Sequence, residues 1–538
     1  MLNKKVKRLI CGTITSMMLF STVTAFADGI VNIDSAEVTS VSVTGKYDIV
    51  VEGFDWGPGV TKAIIKLENE VSDVTKEKFK VEEVKQGYNY QDMSVINGTY
   101  ERKVINAYLS DENGKQVEGT SKNIILELAV DPNMGNLFFY NIFKGLNNWS
   151  DPYYLNIKLA EGATLKSEDK VVDKLEINTE YVKRNTPTVD AFKEDVYEGE
   201  KTINYAHYSP ADDNHKNPLI IWLHGGGEGG NDTQIATLGN KVGALITSEI
   251  QNQFDGAYVL APQSPTMWMD SGEGYTKDGS TIYLDPLMDL IKTYANSNSD
   301  IDLNKIYVGG CSNGGFMTMA LVLEDPEYFA GAYPICEAYK SEWISDEKLE
   351  GIKDLPIWFT YAKNDEVIYP EETSIPTVER LRNLGNESVK VSAFDKVIDT
   401  SNLYKDQDGN PYEYSGHWSW IYAFNDECVD ENGDEKLWSW LAKQTKFVEL
   451  EPSEPVKPEE PEEPVKPEEP EEPVKPEEQE KPVEPVKPEK PEKPNKGNST
   501  TTEIKGDLPN TGAPISSIAV AMIGVLSTAA GVIMRRRK

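Results

Sequence analysis

The chain has 538 residues, of which 89 are acidic and 54 basic, for a formal charge of -35. Such a surplus of negative charge repels phosphate backbones and excludes nucleic-acid binding as the main role. With 39% apolar residues and just 4 cysteines, the chain has material for packed cores but not for a disulfide scaffold.

Residues 1–27 read as an export signal. Lys4, Lys5, Lys7 and Arg8 precede a mostly apolar run, and Ala25-Phe26-Ala27 fits a cleavage site ahead of Asp28. Cys11 lies too early in that run for a lipoprotein cysteine.

Residues 28–187 read as an all-β domain. Short β-rich runs recur at 41–43, 48–51, 63–67, 103–109, 123–130 and 154–159, and the Asp111-Glu112-Asn113-Gly114 stretch is a turn signal between two of them. That spacing favours a sandwich. Trp56, Tyr88, Tyr90 and Trp149 are candidates for a carbohydrate-binding face, although scattered aromatics in a β domain more often pack inside it or at its rim.

Residues 188–447 alternate. Near-continuous apolar strands at 219–223, 257–260, 305–308, 330–335, 356–361 and 389–394 are separated by helical runs such as 284–294 and 377–384, the latter ended by Gly385. The pattern implies an α/β fold with a parallel sheet covered on both faces. The run from Lys305 to Gly315 carries Gly310-x-Ser312-x-Gly314 between a strand and a helix. A strand that turns this sharply into a helix strains the serine backbone and leaves no room for neighbouring side chains, so glycine is required there.

The remaining catalytic candidates come from chain order. Among His207, His215, His224 and His417, only His417 follows Ser312, which makes it the base in the nucleophile–acid–histidine order. The acid should end the preceding strand. Asp365 is the choice, with Asp395 and Asp399 as alternatives. Strand 219–223 runs into His224-Gly225-Gly226-Gly227, whose N–H groups at Gly226 and Gly227, with that of Asn313, are the expected oxyanion hole. Trp268 and Trp418 are candidates for the walls of a substrate pocket. This chemistry requires no metal and no organic cofactor. The aspartate-rich turns at 406–410 and 430–434 depart from calcium-loop spacing and read as solvated turns. Cys311 reads as a small buried filler, and Cys336 and Cys428 are candidates for a disulfide.

The stretches around His224, Ser312 and Gly416-His417-Trp418 resemble those of bacterial α/β-hydrolase esterases, relatives of polyhydroxybutyrate-depolymerase-like and prolyl-oligopeptidase-like enzymes. Some members carry an N-terminal immunoglobulin-like domain. The resemblance covers roughly residues 37–446 and implies an ester substrate, either a short-chain ester or one linked to a polysaccharide. A prolyl-oligopeptidase-like peptidase and a non-catalytic surface adhesin are the alternatives. The β-rich region lacks the blade repeat of a peptidase propeller, and the complete set of catalytic candidates argues against an adhesin.

Residues 448–500 form a spacer rich in Pro, Glu and Lys, with one nine-residue unit starting at Pro455 and again at Pro464. At about 3.1 Å per residue in an extended polyproline conformation, its core reaches roughly 130 Å. Residues 501–538 hold Leu508-Pro509-Asn510-Thr511-Gly512, an apolar run at 515–534 and a basic end at 535–538. In that order they resemble the LPxTG sorting signal of Gram-positive surface proteins. The resemblance implies that a sortase cuts between Thr511 and Gly512 and joins Thr511 to peptidoglycan.

Overall fold

The computed structural model describes residues 39–89 and 91–446; the export signal, Tyr90, the spacer and the sorting signal lie outside them. Two main sheets and a separate two-stranded hairpin form the N-terminal part. In the larger one, strand Ser40–Phe54 pairs antiparallel with Gly57–Val71, which pairs with Ser121–Leu128, which pairs with Val104–Ser110. The other edge of Ser40–Phe54 takes Lys170–Ile177 in parallel. The smaller sheet places Phe79–Asn89 between Ser94–Arg102 and Tyr153–Leu159. Alternation sends Tyr47, Ile49, Val51, Ile65, Val81, Leu126 and Leu155 into one shared core, as facing sheets require. A buried Arg102–Glu83 pair at 2.6 Å is tolerated there because Tyr153 and the carbonyls of Val60 and Ala129 satisfy it further.

Of the four candidate aromatics, the three among the described residues are engaged within the protein. Trp56 is buried and stacked on Phe54, the Tyr88 hydroxyl accepts from the Ile142 N–H, and Trp149 lies under the Arg184 guanidinium. Each of these rings is already held by intramolecular contacts.

The second part is an eight-stranded sheet, here numbered β1 (Lys193–Glu198), β2 (Thr202–Tyr208), β3 (Asn217–Leu223), β4 (Tyr258–Gln263), β5 (Ile301–Cys311), β6 (Gly331–Ile335), β7 (Trp358–Ala362) and β8 (Lys390–Phe394). Their order is β1-β2-β4-β3-β5-β6-β7-β8. From β4 to β8 every pairing is parallel, whereas β1 and β2 enter antiparallel, so the sheet is mixed at one edge. The strand β3 is buried along its whole length, which explains its continuous apolar run. Apolar side chains fill the space on both faces of the sheet. Helix Ser374–Asn383 ends as its sequence implies: Gly385 adopts φ 90°, and the Asn386 N–H reaches back to the Leu381 carbonyl.

Candidate active site

The site lies where parallel strands end. At the end of β5 the chain turns through Ser312, with φ 55° and ψ -112°, into helix Asn313–Glu324. A Cβ on Gly310 would stand 2.3 Å from the Leu223 carbonyl oxygen, and one on Gly314 only 1.9 Å from it. Both glycines are therefore imposed by contact with β3. The Ser312 N–H bonds the Ile335 carbonyl at 2.9 Å, which ties the turn to β6. Strain of this kind persists only where surrounding structure fixes it, and here two neighbouring strands do so.

Asp365 lies in the loop after β7. Its Oδ1 accepts from the N–H groups of Val367 (2.8 Å) and Ile368 (3.0 Å), and its Oδ2 stands 2.8 Å from His417 Nδ1. Both residues are buried, with 3% and 8% exposure. His417 sits in the short turn Gly416–Trp418, where the Ser415 hydroxyl accepts from its N–H. A Cβ at Gly416 would stand 2.3 Å from Asn364 Oδ1, so glycine lets the histidine loop rest on the aspartate loop. The alternative acids are engaged elsewhere. Asp395 is exposed and paired with Lys363, and Asp399 accepts from Ser401 and the Tyr404 N–H.

The other histidines have different duties. His224 is fully buried, with Nδ1 2.7 Å from the Gly225 carbonyl oxygen and Nε2 3.0 Å from the Ser264 N–H. That pattern places the proton on Nδ1 of a neutral ring, and burial pulls its pKa down to about 4. It braces the loop. His207 lies beside Tyr294, and His215 is exposed near Asp213.

Gly226 opens the turn Gly226–Glu228, and Asn313 opens the helix after Ser312. The first N–H groups of such elements have no partner within them. A Cβ on Gly226 would lie 4.0 Å from Asn313 Cβ, so the two backbone segments are neighbours. The Asn313 side chain points elsewhere, its Oδ1 accepting from the N–H groups of Trp268 (2.5 Å) and Met269 (3.3 Å). The Trp268 ring is wholly enclosed between His224 and Tyr283, a packing position, while Trp418 is half-buried beside Tyr414 and Trp420.

Two residues of this region are not among the candidates drawn from the sequence. Glu228, next to Gly227, is buried, and burial pushes its carboxyl up to about 7. Its Oε1 accepts from Asn147 Nδ2 at 2.9 Å, an amide supplied by the N-terminal domain. The position of Glu228 directly after three glycines was a usable clue; nothing in the sequence marks Asn147.

The three remaining cysteines, Cys311, Cys336 and Cys428, are free and buried, so Cys336 and Cys428 do not pair. Burial raises each thiol, that of Cys428 to about 12. The carboxylates of the two aspartate-rich turns fold onto their own backbone N–H groups at Asp406 and Asp430. Among the described residues no cluster of His, Cys, Asp and Glu suits a metal ion.

Comparison with known proteins matches residues 46–172 to the esterase Ig-like N-terminal domain and residues 267–395 to the prolyl oligopeptidase family. A poly(3-hydroxyalkanoate) depolymerase C from Paucimonas lemoignei is 29% identical over 126 residues, which span 22% of this chain and 27% of that protein. A solved thermostable esterase is similar with a TM-score of 0.58 and 23% identity, covering 74% of this chain and 99% of its own. The chain thus has an immunoglobulin-like N-terminal domain followed by an α/β-hydrolase domain, and the latter holds the buried His417–Asp365 pair.

Proposed function

We propose that the chain is a cell-surface serine carboxylesterase. The observation that carries this reading is the buried Asp365–His417 pair at 2.8 Å, with Asp365 at the same C-terminal end of the parallel strands as the strained Ser312 turn. His417 takes the Ser312 proton as the hydroxyl attacks an ester carbonyl. Asp365 holds the proton on Nδ1, leaving Nε2 free to accept, and stabilises the imidazolium that forms. The backbone N–H groups of Asn313, Gly226 and Gly227 receive the negative oxygen, each such donor contributing about 3 kcal/mol. His417 gives that proton to the departing alcohol, and water then hydrolyses the acyl-enzyme with His417 again as base and its proton returned to Ser312.

The substrate class is a short-chain ester or an acyl group on a polysaccharide. The purified chain should hydrolyse p-nitrophenyl esters or acetylated xylan, and Ser312→Ala should abolish that while the circular dichroism spectrum is preserved. Residual activity above a few per cent would remove Ser312 as nucleophile. The match to the prolyl oligopeptidase family favours a second reading, a serine peptidase, which cleavage of proline-containing peptides in the same panel would reveal. The surface location rests on the sequence at 1–27 and 448–538. Sortase and peptidoglycan are the partners, and the enzyme should be released from cell walls by muralytic digestion rather than detergent, with Thr511→Ala abolishing wall attachment.

A further inference from the structure

The loop that follows β3 is held from outside its own domain. A hairpin of the N-terminal domain, Phe138–Asn141 paired with Leu146–Trp149, lies across residues 225–232. Asn147 Nδ2 donates to Glu228 Oε1 at 2.9 Å, and two residues on, Trp149 Nε1 donates to Asp232 Oδ2 at 2.6 Å. Strand alternation explains this spacing, because residues 147 and 149 share a face. The hairpin is itself fixed, with the Arg184 guanidinium 3.5 Å from the Trp149 ring centre.

Glu228 transmits the contact. Its carboxyl curls back under the loop, where a Cβ at Gly225 would stand 2.9 Å from Oε2, and the Glu228 N–H donates to the Gly225 carbonyl at 3.4 Å. A Cβ at Gly227 would stand 2.9 Å from Asn147 Nδ2. Gly225 thus rests against that carboxyl and Gly227 against the Asn147 amide, with Gly226 between them. A buried carboxyl that loses its donor must find another, and the loop backbone is the nearest thing that can move.

We propose that Asn147 is a positioning residue for the reaction: through Glu228 it fixes the oxyanion-loop N–H groups, so that a residue of the immunoglobulin-like domain sets the turnover rate of the hydrolase domain. The proposal rests on the serine-esterase reading above. Displacing such donors slightly costs rate far more than binding, because they engage the transition state more strongly than the substrate.

The test compares the full mature chain with Asn147→Ala, Asn147→Asp and, as a control on the same strand, Asn148→Ala, whose amide donates to the Leu146 carbonyl. Two rates are read: turnover of p-nitrophenyl acetate, and covalent labelling of Ser312 by a fluorophosphonate. In both Asn147 variants kcat and the labelling rate should fall about tenfold or more, with KM within about twofold and an unchanged melting temperature. Asn148→Ala should behave as wild type. Because Asn147 acts through Glu228, its loss should add little to Glu228→Gln. The proposal is overturned if Asn147→Ala labels at the wild-type rate, if Asn148→Ala loses as much, or if the two losses multiply in full. A wild type that labels but hydrolyses no ester sinks the esterase reading alone, since labelling still decides the role of Asn147.

Discussion

At Asp365 the carboxylate does two things that a neutral amide cannot do together. One oxygen accepts from two loop N–H groups and the other faces His417 Nδ1. In Asp365→Asn the amide oxygen would keep the loop bonds and turn Nδ2 toward the ring. The imidazole proton would then move to Nε2, the atom that accepts from Ser312 in the proposed mechanism. A loss in kcat of about 10⁴ is expected, with Asp395→Asn near wild type because Asp395 is an exposed partner of Lys363. A damaging Asp395→Asn would mean the acid lies one strand further on. A second buried acid bears on stability. Glu337, 1% exposed, accepts from the Tyr339 N–H and the Ser374 hydroxyl, and burial lifts its pKa from 4.5 to about 8. The folded state therefore holds this proton where the unfolded chain has released it, so stability falls as pH rises from 4.5 to 8. Glu337→Gln should flatten that fall. Melting temperatures at pH 5 and pH 8 would check it, and an equal difference from wild type at both would refute it.

Among the elements, those that build the site were the most legible. The strands β3, β5, β6, β7 and β8 are apolar along most of their length because both faces are covered, and the glycines at 310 and 314 are dictated by the Leu223 carbonyl. The strand β1 is illegible for the opposite reason. Lys193–Glu198 is an edge strand, exposed along nearly its whole length, so no hydrophobic period betrays it. The Trp268 ring could not be placed from sequence either, since a tryptophan beside a site and one beneath it look alike until the His224 and Tyr283 rings are located. Gly416 shows how an element can matter without chemistry of its own. Gly416→Ala would push its methyl against Asn364 Oδ1 and the Asn364 carbonyl, at 2.3 and 2.5 Å, and lift the histidine loop off the aspartate loop. The expected result is a fall in kcat of about 10² or more while most of the thermal stability remains. Near-wild-type kcat in a folded Gly416→Ala variant would show that the two loops need not touch.

Across the whole molecule the two domains share their interiors. Trp56, from the N-terminal domain, packs into the hydrolase core, and Leu238, from the hydrolase domain, is fully buried in the N-terminal core. Polar links surround these anchors. Lys241 bridges Asp55 at 2.7 Å and Asn425 at 2.6 Å, Arg184 donates to Gln234 at 2.9 Å, and the Gly53 N–H donates to the Thr188 hydroxyl at 3.1 Å. Domains joined by a few surface contacts melt separately, but each of these cores is completed by a side chain of the other. The chain from Asp28 to Lys446 is therefore expected to unfold in one transition, with calorimetric and van't Hoff enthalpies in agreement. Leu238→Ala supplies the sharper reading. Removing that side chain should cost about 2–5 kcal/mol, and although residue 238 belongs to the hydrolase domain, loss of near-ultraviolet signal and loss of esterase activity should shift together to lower temperature. Two resolved transitions, or a Leu238→Ala variant in which activity survives the melting of the N-terminal domain, would show that the domains fold independently and that the hairpin over the oxyanion loop is a dispensable neighbour.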